Sequence, residues 1–365
     1  QFRSAWNETW SERASSPYVR GAPDSLRTER LFTNERGRWR VPNRLDVMDF
    51  GNEKVYCALG AYAAETHPDL SRVIKLCGPQ KRDIPLSPPH YDLPGGNAYQ
   101  TIKSNRCLVF AVSYHHNGKD NACLFRHCDS QVQRRVSGTG LVVTTVTDGR
   151  VEVEMLDFAP LDPNLALTCR VFTARNLTDS PITGLSLATI LTSSEPWQDV
   201  AWANGALTVT DPAAGHGVLI YAPGMDCEEE GTTLLDGEPE MGWQNIVLAT
   251  APMDLAPGTS GEAWLALVPL VSSDDPEQEK AAGALESFSP LEAADVTARA
   301  WSEWSSRVSF ESDSAPLTDL VDNLQVLLKT HEGVNGYHLG TTYQRHTHGW
   351  VRDNCLIQRG LLAGG

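Results

Sequence analysis

The chain has 365 residues, enough for two or three domains around a large core, with 41% hydrophobic and 21% charged residues. Its 30 Lys and Arg against 46 Asp and Glu give a formal charge of −16, which repels phosphate backbones and anionic lipid surfaces, so no nucleic-acid partner is expected. No stretch reaches the roughly 18 to 20 uncharged apolar residues that a membrane span needs, and neutral oligosaccharides are not repelled by an acidic surface.

In chain order, residues 1–95 read as an N-terminal extension of strands and irregular wrapping. Within it Val55 to Leu59 and Val73 to Leu76 are apolar runs of strand length, and Pro85 to His90 with Leu93 to Gly96 form a loop. The chain starts at Gln1 without a hydrophobic leader. That fits a secreted or cell-surface protein whose export signal is removed, and equally a trimmed sequence, so location stays open.

Residues 96–271 predict an antiparallel β-sandwich, because strand-length runs alternate with turn signals at short intervals. Arg106 to Tyr114 comes first. Leu141 to Thr147 and Arg150 to Phe158 flank Asp148-Gly149, a dipeptide that closes a tight hairpin, and Val151, Val153 and Met155 alternate with Glu152 and Glu154. Ala166 to Ala174, Ile182 to Leu191, Ala206 to Val209, Gly217 to Tyr221, Ile246 to Ala249 and Ala263 to Leu270 complete a two-sheet body. His115-His116 followed by Asn117-Gly118 reads as a hairpin tip. The sequons Asn7-Glu8-Thr9 and Asn176-Leu177-Thr178 are no more than chance supplies and decide nothing.

Residues 272–310 predict a helical linker. Pro276 is placed at a helix start, and Pro290 to Val308 bears Val296, Ala300, Trp301 and Trp304 at helical spacing. Both tryptophans are expected in a core, not on a ligand platform. Residues 311–365 open with a helix from Pro316 whose Leu317, Leu320, Val321, Leu324, Leu327 and Leu328 fall on one stripe, stopped by Gly333. A further helix spans Cys355 to Ala363.

Between those helices lies GVNGYHLGTTYQRHTHGWVRDN, an aromatic and polar loop carrying Tyr343, His346, His348 and Trp350 that runs into Arg352 and Asp353. A guanidinium fork beside a carboxylate can grip a polyhydroxylated ligand through several directed hydrogen bonds, and Trp350 offers a flat apolar face to a sugar ring. The competing reading is a helix-start ion pair with Asp353 or Asn354 as cap. Tyr343 and His348 are the further binding candidates.

Trp301, Trp304 and Trp350 together with the periodic helix before the loop resemble the opening of the catalytic domain in the six-hairpin glycosidase superfamily, the glucoamylase-like hydrolases and related glycoside phosphorylases. The resemblance is close in the last part of the chain and only of pattern in the β-rich part. It implies a large sandwich followed by the first helices of an (α/α)6 toroid, with Trp350, Arg352 and Asp353 binding the sugar before the scissile bond. The activity implied is glycoside hydrolysis of glucose-type oligosaccharides. A non-catalytic carbohydrate-binding or surface structural protein, and a glycoside phosphorylase, remain alternatives.

Hydrolysis needs two carboxyl groups about 5 to 9.5 Å apart across the bond, and no credible pair is readable here. In the proteins resembled, the general acid lies on a later hairpin, so the catalytic residues are unassigned. The toroid also needs more helices than these, so a second chain completing it is one possible partner besides the oligosaccharide. No cofactor is expected, since no phosphate-binding loop stands out and Cys123, His127 and Cys128 lack a second ligand pair at zinc spacing. Eight cysteines are too sparse for a disulfide scaffold.

Overall fold

The computed structural model describes residues 32–33, 40–41, 46–61, 69–78, 86, 106–161, 165–193, 197–211, 215–230, 244–270, 276–307, 312–313 and 315–331. Strands β1 (Phe32–Thr33) and β2 (Arg40–Val41) form a small pair. β3 (Asp46–Gly51), β4 (Tyr56–Ala61), β5 (Val73–Cys77), β6 (Arg106–His116) and β7 (Lys119–Leu124) follow. After a 3-10 turn at Phe125–His127 come β8 (Ser130–Arg135), β9 (Val142–Thr147), β10 (Val151–Phe158), β11 (Thr168–Asn176) and β12 (Ile182–Ser193). β13 (Asp199–Ala203), β14 (Ala206–Asp211), β15 (His216–Tyr221), β16 (Met225–Glu230), β17 (Gln244–Thr250), β18 (Met253–Leu255) and β19 (Ser260–Leu270) complete the strands, and helices α1 (Pro276–Leu285), α2 (Pro290–Ser305) and α3 (Ala315–His331) succeed them.

The strands assemble into two large antiparallel sheets. One has eight strands in the order β13-β14-β15-β19-β11-β10-β9-β8, and the other follows the path β16-β17-β12-β6-β5-β4-β3 with β7 and β18 paired to its inner strands. β3, β4 and β5, all before residue 96, therefore belong to the second sheet. Turn chemistry fixes the registers. At Asp148-Gly149 the glycine takes φ 84°, and Asp148 Oδ1 accepts from the backbone N–H groups of Arg150 and Val151, both at 2.9 Å. Glu152 consequently faces Thr147, and Val151, Val153 and Met155 all point into the core. Asn117-Gly118, with φ 51° and 77°, closes the β6–β7 hairpin in the same way.

The main core lies between the sheets, where Leu108, Phe110 and Val112 of β6 meet Met155, Phe172, Val218 and Ile220 of the facing sheet. A second core forms on the outer face of the eight-stranded sheet. There Phe158, Cys169, Val171, Ala266 and Val268 are covered by Ala281 and Leu285 of α1, Ala294 and Trp301 of α2, and Val326 of α3. Trp301 lies so close to the backbone at Gly140 that a Cβ there would sit 2.7 Å from the indole. Trp304 packs edge-on against Trp301, at 5.5 Å between ring centroids, and stays half-buried.

The leucine stripe of α3 is only partly covered among the described side chains. Leu324 is 47% exposed and Val321, Leu327 and Leu328 are half-buried, while Val326, Thr330 and His331 are the buried positions. Leu317 and Leu320 lie outside the residues whose side chains are described.

Candidate functional site

Tyr343, His346, His348, Trp350, Arg352 and Asp353 lie outside the described residues. What the structure does describe is the point from which the chain departs toward them, two residues short of Gly333. His331, the last residue of α3, places Nε2 2.6 Å from Asp49 Oδ2 of β3. The Tyr56 hydroxyl of β4 donates to the same oxygen at 3.1 Å, and its ring meets the imidazole edge-on at 5.2 Å. Arg135, from the edge of the other sheet, donates through Nη2 to the Asp49 carbonyl at 2.6 Å and faces Oδ1 at 3.4 Å.

In this cluster Asp49, Tyr56 and His331 are all buried, and burial with the adjacent Asp49 carboxylate pushes the Tyr56 phenol well above its ordinary range, so it stays a donor. Burial pulls the Arg135 guanidinium down, opposed by Asp49 and then Tyr56. Around it the β3–β4 turn is fixed by Asn52. Its amide nitrogen donates to the carbonyls of Pro160 and Leu165, and its oxygen accepts from the N–H groups of Lys54 and Val55. Glu53 on that turn pairs with Lys329 at 3.0 Å on the surface. The end of α3 is thus held at two neighbouring points. Chemically this is a positioning device, with the carboxylate shared among an imidazole, a phenol and a guanidinium.

A second polar group closes one end of the sandwich interior. Arg106, at the start of β6, stacks 4.0 Å over the Trp197 ring and donates to Asp211 Oδ2 at 2.8 Å and Ser193 Oγ at 3.3 Å. Its Nη1 lies 2.8 Å from His216 Nε2, and because arginine only donates, that nitrogen is the acceptor and the imidazole proton sits on Nδ1. Arg106 and Ser193 belong to one sheet, Asp211 and His216 to the other, so the group clasps the two. Deeper in the core, Arg170 makes a two-pronged contact to Asp157 at 2.7 and 3.0 Å and stacks 4.1 Å over Phe110 of the opposite sheet. Burial raises the Asp157 carboxyl and the adjacent guanidinium opposes that rise.

None of these residues is singled out by sequence reasoning. For Asp157 a signal exists, since it shares the parity of Val151, Val153 and Met155 and so marks a charge on an apolar face. For Asp49 and His331 none exists, as their meeting spans most of the chain.

No family model matches the chain, and no curated protein matches it in sequence. Among solved structures it is similar to a bacterial glucoamylase complexed with acarbose, with a TM-score of 0.54 and 14% identity over 88% of this chain and 48% of that one. A protein from the human microbiome, described as a kojibiose phosphorylase, aligns at a TM-score of 0.47 and 10% identity over 78% of this chain and 39% of that one. The chain spans about half the length of the bacterial glucoamylase it matches. At this identity the likeness is one of fold, shared with the part of the bacterial glucoamylase that the chain covers.

Proposed function

We propose that the chain is part of a carbohydrate-active enzyme, a glycoside hydrolase that cleaves glucose-type oligosaccharides. It supplies the sandwich of residues 96–271 with the strands that precede it, the helical linker of 272–310, and the opening of an (α/α)6 toroid in 311–365. In this reading Trp350 carries a sugar ring on its indole face, Arg352 and Asp353 hold its hydroxyls, and Tyr343 and His348 line the pocket. The catalytic carboxylates are supplied from beyond these residues.

The observation that carries the reading is the docking of α3. The helix that leads into this stretch is pinned by His331 to Asp49 in a buried cluster, which gives the loop after it a fixed origin on a rigid body. The glucoamylase fold relation supports it at the level of architecture. The test is calorimetric titration of the complete protein with acarbose, the compound bound in that glucoamylase. Micromolar or tighter binding is expected for the wild type and none for Asp353→Ala with an unchanged melting temperature. Equal affinity in the two proteins would remove the site from the reading.

A further inference from the structure

In chain order, the first passage between the two large sheets occurs at one short segment. β7 is hydrogen-bonded into the nine-stranded sheet, β8 forms the edge of the eight-stranded one, and the 3-10 turn at Phe125–His127 is the crossing. Cys123 lies on β7 opposite Val112, and Cys128 follows the turn, drawn back by its N–H bonding the Phe125 carbonyl at 3.1 Å. The two sulfurs are 3.8 Å apart, and both point to the Leu124 carbonyl, at 3.1 and 3.9 Å. Both residues are 1% exposed.

At that separation the sulfurs already touch, and a disulfide requires them to close by roughly a further 1.8 Å, within reach of side-chain rotation. The backbone has done the rest of the work. A strand end followed by one tight turn brings residues five apart in sequence into sulfur contact.

We propose that Cys123 and Cys128 form a dithiol–disulfide pair that staples the crossing between the sheets when the protein meets a small-molecule disulfide oxidant. One thiolate attacks the oxidant's S–S bond, forming a mixed disulfide and releasing one thiol. The second thiolate then attacks the protein-bound sulfur of that mixed disulfide, closing the Cys123–Cys128 bond and releasing the second thiol. The two cysteines lose two protons and two electrons, and the oxidant is reduced to two thiols. The inference is independent of the saccharide reading.

The test is peptide mapping of the protein refolded from denaturant, and separately incubated folded, with oxidised glutathione. Free thiols are alkylated before digestion. Trypsin cuts after Lys119, Arg126 and Arg134, so the bond would join the peptides 120–126 and 127–134, with a mass two hydrogens below their sum. The linked pair is expected in refolded protein and, more slowly because the thiols are buried, in folded protein. Cys57 and Cys169, whose thiols burial holds far above their ordinary range, are expected to remain as alkylated thiols in the folded sample. In Cys128→Ser a lasting glutathione adduct on Cys123 is expected, because nothing resolves it. Alkylated Cys123 and Cys128 after oxidative refolding, or separate glutathione adducts on both in the wild type, would overturn the proposal. A second readout is thermal unfolding. The oxidised wild type should melt higher than after dithiothreitol treatment, and Cys128→Ser should show no such difference.

Discussion

Buried phenols tie this protein's stability to alkaline pH. Tyr114 is buried and its hydroxyl donates to Asp148 Oδ2, the carboxylate that also organises the β9–β10 turn. Burial first, then the Asp148 charge, raises its titration far above the ordinary tyrosine value, as happens at Tyr56 beside Asp49. Above about pH 10 the unfolded chain releases phenolic protons that the native state keeps. The native state then binds more protons, so stability falls as pH rises, and the buried thiols of Cys57 and Cys169 act with the same sign. Urea midpoints should therefore decline between about pH 9 and about pH 11, and the decline should be shallower in Tyr114→Phe, which at neutral pH costs about 1 to 3 kcal/mol for the lost hydrogen bond. Parallel declines would show that Tyr114 titrates normally. The Asp157–Arg170 pair gives a second residue-level expectation. Arg170→Met leaves a carboxylate in the core and should cost about 3 to 5 kcal/mol, whereas the double change with Asp157→Leu should restore most of it, read by chemical denaturation. Sequence could flag Asp157 by its parity but could not name its partner, because cross-strand register depends on which strands pair. The Asn176 sequon, on which the sequence decides nothing, proves to be buried, with its amide nitrogen donating to the carbonyls of Ser180 and Leu255.

Elements were legible where one face is apolar and the other wet. The β9–β10 hairpin carries that alternation, the long strands β6, β11, β12 and β19 stand out instead as apolar runs between turn signals, helices α1 and α2 start at a Pro, and all occur where the pattern puts them. β8 was invisible because it is an edge strand with a single hydrophobic residue, Val132, which is 58% exposed. Its order comes from elsewhere. Gln131 and Gln133 bond through their side chains to the backbone N–H and carbonyl of Leu70, covering an edge that would otherwise be bare. The α3 stripe is legible as a face, but hydrophobic spacing does not name the partner of that face. The packing of α2 is the element-scale test. Trp301 is sealed between the helix and the sheet, and truncation to Ala should cost about 3 to 5 kcal/mol. Gly140→Ala should cost about 1 to 3 kcal/mol by pressing a methyl into the indole. Because both changes act on one contact, Gly140→Ala in a Trp301→Ala background should cost markedly less than alone, and strict additivity in the denaturation cycle would mean the contact is absent.

At the scale of the whole molecule, three arginines of this acidic chain, Arg106, Arg135 and Arg170, each bind a carboxylate from another strand or the facing sheet with little exposure of their own. Two of these hold sheet to sheet or strand to strand, and the third stands next to the latch that joins helix to sandwich. Among the described side chains of α3, Val326 lies in the core under the helices and Leu324 is turned outward, while polar contacts hold its last turn. The Asp49–His331 contact is buried and shared with Tyr56, so losing the carboxylate strands both partners in a buried site, while the Glu53–Lys329 pair is solvated and adds little. Native-state hydrogen exchange distinguishes these contributions, since it reads local opening free energies element by element. In Asp49→Asn, amides in Gln325–His331 should exchange roughly 10- to 100-fold faster than in the wild type, the range expected when a buried charged hydrogen bond is weakened. Amides of β6 at Val109 and Phe110 should change by less than about threefold, because the inter-sheet core does not depend on the latch. Lys329→Ala should leave α3 within about threefold of the wild type. If Asp49→Asn accelerates both regions equally, helix and sandwich open as one unit. If it accelerates neither, hydrophobic contacts alone hold α3, and the fixed origin assigned to the loop after Gly333 is lost with the latch.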